Sequence, residues 1–443
     1  MNQSKTTQTG PADGPLTGIR VLDFTSIMSG PFCTRLLADM GAEIIKVEPP
    51  GGEHSRFRPP AVNGKSVHFA QLNCGKKCLV LDLKSQAGRK AAYALAMKSD
   101  VVIENWRPGV AGRLGLDYAA FAAGKPDIIY CSISGYGQTG PASQKPAYAS
   151  VVEAASGFAH AQMEINGAEK PPTSGTFLGD SLTALWSFSA IEAAIIQKQR
   201  TGKGQFLDVS MLESMLFMLV NEAHSAQIGP YTRRYHLPLR TTDGYVVVPP
   251  VSGANWHALA RATGHPEWIT DPRFATVEDR NETWFEMLRL TETWTSQHSM
   301  AECEDILIAA GVPMSRFRTV KEAFDDPQLV ARGALTTVNV GGADYRIPHV
   351  PFSTPGSNTR PRPEVSELNG DSQEILGGSV RLSSLQQDRV LLDRGMESAR
   401  NNPPRTIGRG DDLGQRHEAN LGITCIDELE RLGDALPLDD LGS

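Results

Sequence analysis

At 443 residues the chain exceeds what one hydrophobic core usually serves, so at least two domains are expected. It is 40% hydrophobic and 21% charged with a formal net charge of -7, which excludes a wholly disordered chain. The acidic balance also argues against nucleic acid as the main partner, because phosphate affinity comes from clustered Lys and Arg.

Residues 1–14 are polar and lack the apolar segment of a signal peptide. No apolar run reaches the length of a membrane span, so the sequence reads as cytoplasmic, with no membrane partner. Ile19, Val21 and Leu22 lead into Asp23-Phe24, a short buried strand. Ser29-Gly30-Pro31 breaks it. Phe32, Leu36, Leu37 and Met40 then recur at helical spacing, and Gly41 stops the helix. Residues 43–48 read as the next strand, completing a βαβ unit with a parallel sheet.

The rhythm repeats. Residues 78–82 are strand-like, 85–98 helical, and 101–104 and 127–133 further strands, followed by the Gly-rich loop 134–141. An alternating, Rossmann-like α/β domain is the natural reading. No GxGxxG joins the first strand to its helix, so neither NAD nor FAD is expected. A long helix spans 181–199, with Leu182, Leu185, Trp186, Ala190, Ala193 and Ile196 supplying one apolar face. Residues 206–209 form a short strand, and 210–220 a helix whose Met211, Met215 and Met218 read as core rather than as a cofactor site. Near residue 225 the character changes. A smaller, mostly helical domain runs over 226–335, with helices at 255–263, 283–297, 300–310, 320–325 and 327–332. Residues 337–350 return to strand alternation. The polar tail 396–443 is expected to be poorly ordered apart from a helical patch at 426–436.

The six cysteines include one close pair, Cys74 and Cys78, without a second pair at zinc spacing. They read as reduced thiols, and no metal site is expected. The residues that can carry chemistry lie elsewhere. Gly179-Asp180 precedes the long helix. An Asp there reads as an N-cap or as a nucleophile kept ionised by the helix terminus, and both readings can hold together. Gly179 would let a bulky thioester approach the backbone. Glu104-Asn105-Trp106-Arg107-Pro108-Gly109 follows a strand at the sheet's carboxyl edge. There Arg107 and Arg113 can bind phosphates, or can be solvated arginines. Gly135-Tyr136-Gly137-Gln138 with Tyr148 can cradle an anion, or be a plain loop. Arg233, Arg234 and His236 can meet a substrate carboxylate or form an exposed basic loop. Neither GxSxG nor a P-loop occurs.

The order of these segments resembles the class III CoA-transferases, the family of formyl-CoA transferase and carnitine CoA-transferase. The resemblance runs through Gly18-Ile19-Arg20-Val21-Leu22-Asp23-Phe24, Gly30-Pro31, Ala38-Asp39-Met40-Gly41-Ala42-Glu43, Lys46-Val47-Glu48, Leu81-Asp82-Leu83-Lys84, Glu104-Asn105-Trp106-Arg107-Pro108-Gly109, Gly135-Tyr136-Gly137, Gly179-Asp180-Ser181 and Thr201-Gly202-Lys203-Gly204-Gln205. It implies an interlocked homodimer. Each chain would have a large Rossmann-like domain built from residues 15–225 and 336–395, with the small domain between. It implies Asp180 as the nucleophile that forms an acyl-aspartyl anhydride and an aspartyl-CoA thioester. Coenzyme A would be a substrate, with no tightly bound cofactor, and small or dicarboxylic acids would be the acceptors. Asn105, Arg113 and Tyr148 match positions near CoA or the reacting acyl group. Some members carry a glutamine where this chain has Met28, which cannot donate the same hydrogen bond, so a different acyl group or donor is implied. The related 2-methylacyl-CoA racemases place a His within the stretch that here reads Ala147-Tyr148-Ala149, and His160 lies too far along to replace it. A CoA-binding protein without turnover is the non-enzymatic alternative, and the intact Asp180 argues against it.

Overall fold

The computed structural model describes residues 14–229, 234–352, 354 and 356–379. The tail from 396, its helical patch, Arg233 and Cys425 lie outside the described residues. The chain forms two compact units, one of residues up to Val220 together with those from Gly333, the other Asn221–Arg332.

In the first unit, β1 (Arg20–Asp23), β2 (Glu43–Glu48), β3 (Lys77–Val80), β4 (Val101–Glu104), β5 (Ile129–Ser134) and β6 (Gln205–Ser210) form one sheet, parallel throughout. Their spatial order is β3-β2-β1-β4-β5-β6, so the winding direction reverses between β1 and β4. The connecting helices are α1 (Ser29–Asp39), α2 (Val67–Asn73), α3 (Gln86–Ala96), α4 (Val110–Leu114), α5 (Tyr118–Gly124), α6 (Ala149–Ala155), α7 (Phe158–Ile165), α8 (Leu178–Thr201) and α9 (Met211–Phe217). The two-residue side-chain period distributes the strands' apolar residues to both faces. Val21, Ile44, Val101 and Ile103 pack with Leu37 of α1 and with Ala184, Phe188 and Ile191 of α8. Leu22, Ile45, Leu79 and Val102 face the other way, against Ala92 and Leu95 of α3 and Phe121 of α5. The expected mixed α/β fold with a parallel central sheet is present.

In the second unit α10 (Val220–Ile228) leads to short strands β7 (Leu239–Arg240), β8 (Tyr245–Val247) and β9 (Ser315–Arg316). Around them are α11 (Gly253–Ala262), α12 (Val277–Glu282), α13 (Trp284–Thr295), α14 (Met300–Ala309), α15 (Val320–Phe324) and α16 (Pro327–Ala331). Its core gathers Trp256, Trp268, Phe274, Trp284 and Trp294. The chain then re-enters the first unit as the hairpin β10 (Leu335–Val340) and β11 (Ala343–Pro348), followed by α17 (Ser372–Ser379). This return caps the open edge of β3. The Cys78 and Val80 amides donate to the side chains of Asp371 at 2.8 Å and Asn369 at 2.9 Å, leaving that edge unable to pair with another strand.

The apolar face expected on α8 is largely exposed in this chain. Leu185, Trp186 and Ile196 are 47%, 41% and 49% exposed, and the buried side is Gly179, Thr183, Ala184, Ser187, Phe188, Ile191, Ala194 and Ile195. Periodicity identifies an apolar face but not what covers it. Here the small residues let α8 lie close to α1, and the bulky apolar row faces outward. Among the described residues no helix is long and apolar enough to cross a membrane.

Candidate active site

The winding reversal between β1 and β4 opens a crevice at the strands' carboxyl ends, where open α/β sheets place their ligands. The loop that leaves β1 for α1 crosses this crevice, and nearly every backbone polar group in it is tied down. Lys46 donates to the Thr25 carbonyl at 2.9 Å. Asn105, just beyond β4, accepts from the Ser26 amide at 3.0 Å and donates to the Ser26 carbonyl at 2.9 Å. The Ile27 amide donates to Glu53 at 3.1 Å, and His68 of α2 approaches the Ile27 backbone. These anchors hold Ile27 at φ +70°, a left-handed conformation that costs a β-branched residue about 1–3 kcal/mol. Close packing adds to the constraint, because a Cβ on Gly30 would lie 2.2 Å from the Thr25 side chain.

Beneath the loop sits a buried polar network. Asp23 accepts from the Thr25 hydroxyl at 2.5 Å, the Thr34 hydroxyl at 2.6 Å and the Lys76 ammonium at 3.3 Å. Burial alone would raise the Asp23 pKa, but Lys76, Lys46 and the two hydroxyls hold it below its ordinary value. Burial pushes Lys76 down to about 8, against the pull of Asp23. Such a network is costly to break, since removing one partner strands an uncompensated charge.

The loop delivers Ser29 to Asp180. Ser29 is buried and opens α1, so its amide is one of the donors that the helix leaves unpaired. Both that amide and its hydroxyl favour the ionised form of the Asp180 carboxylate. Asp180 is therefore not the N-cap of its own helix, as the sequence suggested. The cap position is Phe177, at φ +47° and without a side-chain cap, which places Asp180 third in α8. Gly179 does not face an incoming ligand either, because it is buried and its missing Cβ would touch Met211 and Ala149. Its amide donates to Glu153 of α6 at 3.3 Å.

Asp180 is half-buried. Burial pushes its carboxyl up to about 6 despite the Ser29 donors, the nearby Glu153 charge acts in the same direction, and the Arg58 charge opposes them. Burial thus outweighs the stabilisation that proximity to a helix terminus was expected to supply. At pH 7 a group with that pKa is still about nine-tenths ionised. It is a carboxylate of raised basicity beside Ser29 at the start of α1.

Met28 immediately precedes Ser29 as the N-cap of α1, and Asn105 grips the same loop, so the structure gathers Met28, Asn105 and Asp180. Asn105 does so by spending its side chain on Ser26. The remaining expected residues sit on adjoining loops at the same sheet edge. Arg107 is half-buried before α4, Arg113 is exposed on α4, Tyr136 is half-buried after β5, and Tyr148 is exposed at the start of α6. Arg234 lies in the second unit, bonded to Asn281 with its guanidinium over Trp284. His160 is an exposed residue of α7 paired with Glu164. Ser29, Arg58, His68 and Glu153 were not singled out from the sequence. Ser29-Gly30-Pro31 carried a usable signal, since Pro in a first turn marks a helix start. Among the described residues no group of His, Cys, Asp and Glu is arranged to hold a metal ion.

The sequence matches the model of CoA-transferase family III over residues 16–372. An acetyl-CoA:oxalate CoA-transferase of Acetobacter aceti is 37% identical over 345 residues, 74% of this chain and 88% of that protein. The human succinyl-CoA:glutarate CoA-transferase is 33% identical over 369 residues, covering 80% and 84%. A succinyl-CoA–D-citramalate CoA-transferase of Chloroflexus aurantiacus is 35% identical over 407 residues, covering 85% and 98%. Among solved structures, a CAIB/BAIF family protein from Brucella suis has a TM-score of 0.72 at 30% identity, covering 83% of this chain and 99% of that one.

Proposed function

Because this chain belongs to CoA-transferase family III and is an enzyme of the CoA-transferase type, we propose that it moves CoA from an acyl-CoA to a carboxylic acid by covalent exchange on Asp180. The supporting observation is the placement of that side chain, half-buried at the start of α8 beside Ser29 with burial pushing its pKa up to about 6.

In the first step an Asp180 oxygen attacks the thioester carbonyl, and the carbon–sulfur bond breaks. This gives an acyl-aspartyl anhydride and CoA thiolate. The thiolate then attacks the aspartyl carbonyl, releasing the donor's carboxylate and leaving an aspartyl-CoA thioester. The incoming acid repeats the two steps in reverse order, forming its own anhydride and then its CoA thioester, and Asp180 returns as a carboxylate. No proton is consumed, so no separate general acid is needed. Ser29 acts as a positioning residue, fixing the carboxylate with two donors. The tied-down loop bears the cost of that geometry before substrate arrives.

Met28, Asn105, Arg107, Arg113, Tyr136 and Tyr148 are assigned to the CoA and acyl binding surface, with Asn105 acting through Ser26. Coenzyme A enters as substrate. The acids named for the relatives, oxalate, glutarate and citramalate, place small dicarboxylic acids first among acceptors to try. The outward apolar row of α8, with the exposed Leu216 and Phe217 of α9, supports a homodimer, because monomers rarely leave such a patch uncovered.

The test is to incubate the protein with acyl-CoA donors and hydroxylamine. Mass spectrometry should find a hydroxamate on Asp180, and Asp180→Ala should lose both label and transfer. Transfer by Asp180→Ala at near wild-type rate would remove the assignment. Solvent deuterium entering the α-carbon of a 2-methylacyl-CoA would favour the racemase instead.

A further inference from the structure

Among the described residues, one cation near Asp180 forms no ion pair. Arg58 follows the short 3-10 turn His54–Phe57 and is half-buried. Its guanidinium carbon lies 5.6 Å from the ring centroid of Phe177, the residue that caps α8 one turn ahead of Asp180. Among the described residues it forms no ion pair and no side-chain hydrogen bond. Arg56, two residues earlier, shows the contrast, because its guanidinium is spent on both oxygens of Glu48 at 2.6 and 2.7 Å.

The Arg58 charge lowers the pKa of both Asp180 and His68, so its guanidinium, packed on the Phe177 ring at the start of α8, lies within electrostatic reach of the nucleophile. Asp180 and Arg58 form no ion pair, although the Arg58 charge lowers the Asp180 pKa. His68 contributes no competing positive charge. Burial first, and Arg58 second, keep the imidazole pKa below its ordinary value, and its Nε2 is buried without a partner among the described residues. A guanidinium is shaped for two-pronged binding of a carboxylate, and a partly desolvated one gains most when an anion reaches it.

We propose that Arg58 binds the distal carboxylate of a dicarboxylic substrate, making the site selective for dicarboxylic over monocarboxylic acyl groups. This rests on the covalent-exchange reading above. In that reaction the donor's acyl group and the acceptor acid occupy the same side of Asp180 in turn, so one cation selects both. The contact is ionic, and no bond forms or breaks at Arg58.

The test is a competition between glutarate and pentanoate, acids of equal chain length, for a single acyl-CoA donor. The ratio of product CoA thioesters gives the ratio of kcat/KM values, and it cancels donor binding, enzyme concentration and any fraction of unfolded variant. Wild type should favour glutarate. Arg58→Met should cut that preference by about 10- to 100-fold, the scale of a hydrogen bond to a charged group, while pentanoate transfer persists. Arg58→Lys should fall between, keeping the charge without the fork. Arg58→Gln replaces Arg58→Met if the latter is insoluble. An unchanged ratio in these variants, or a wild type that prefers pentanoate, overturns the proposal and leaves covalent exchange standing. Transfer to neither acid, with no Asp180 hydroxamate, would remove covalent exchange itself and this proposal with it.

Discussion

Replacing Asp180 by asparagine should abolish CoA exchange and yet stabilise the fold. In the folded protein Asp180 keeps its proton up to about pH 6, against an ordinary value of 3.8. Between those two values the folded state binds more protons than the unfolded chain, so stability falls as pH rises and the full cost is present above about pH 6. A shift of about two units at 1.36 kcal/mol per unit sets a ceiling of about 3 kcal/mol. Asp180 still sees solvent, so screening brings the expected cost to about half of that, roughly 1.5 kcal/mol. Asparagine removes the charge and keeps an oxygen for the Ser29 donors. At pH 8 the Asp180→Asn protein should therefore melt about 2 °C above wild type. At pH 5, where about half of the cost has developed, the gain should be about half as large. Thermal unfolding followed by circular dichroism at the two pH values measures both quantities. An equal gain at pH 5 and pH 8, or a loss at pH 8, would refute the claim that Asp180 is a destabilised carboxylate.

Two further substitutions move the same carboxylate in opposite directions. Ser29→Ala removes one of two donors to the ionised form, so the rising limb of kcat/KM against pH, centred near 6 in wild type, should shift to higher pH. The value at pH 7 should drop by about tenfold, the scale of one hydrogen bond to a charged group. Glu153→Gln removes the like charge that raises Asp180 and keeps an oxygen for the Gly179 amide. Its limb should shift to lower pH, and a shift to higher pH would assign Glu153 a different part. Steady-state pH profiles read both.

The strands at 43–48 and 101–104 could be read from sequence residue for residue, because Ile44, Ile45 and Val47 in one and Val101, Val102 and Ile103 in the other are β-branched apolar residues buried on both faces. The Asp180 neighbourhood could not. Ser29, Arg58 and Glu153 reach it from α1, the loop after the 3-10 turn and α6, and local patterns carry no information on contacts between such distant segments. The left-handed Ile27 was invisible for a different reason. A β-branched residue disfavours that conformation, so only Glu53 and His68, brought from elsewhere, explain it. The α6 and α7 helices were missed because they are short and their apolar residues follow no sustained stripe. The outward turn of the apolar face of α8 was not legible, because hydrophobic spacing is blind to whether the cover is the sheet of the same chain.

The value near 6 is itself the design problem that the site solves. A carboxylate held by strong donors in water-like surroundings would be fully ionised but a weak nucleophile, because stabilising the charge lowers its basicity. A carboxylate buried without donors would be basic but protonated at neutral pH, and so unable to attack. Asp180 lies between these limits because two opposing causes act on it from separate parts of the chain. Burial at the α8 terminus raises its pKa, and the Ser29 amide and hydroxyl restrain that rise. Ser29 can do this only if its donors stay fixed when the thioester arrives. The clamp of Asn105 on Ser26, the Glu53 and His68 contacts to Ile27, and the buried charges of Asp23, Lys46 and Lys76 beneath them supply that fixity. The polar network under β1 is therefore part of the nucleophile's chemistry, although none of its members is placed to touch substrate.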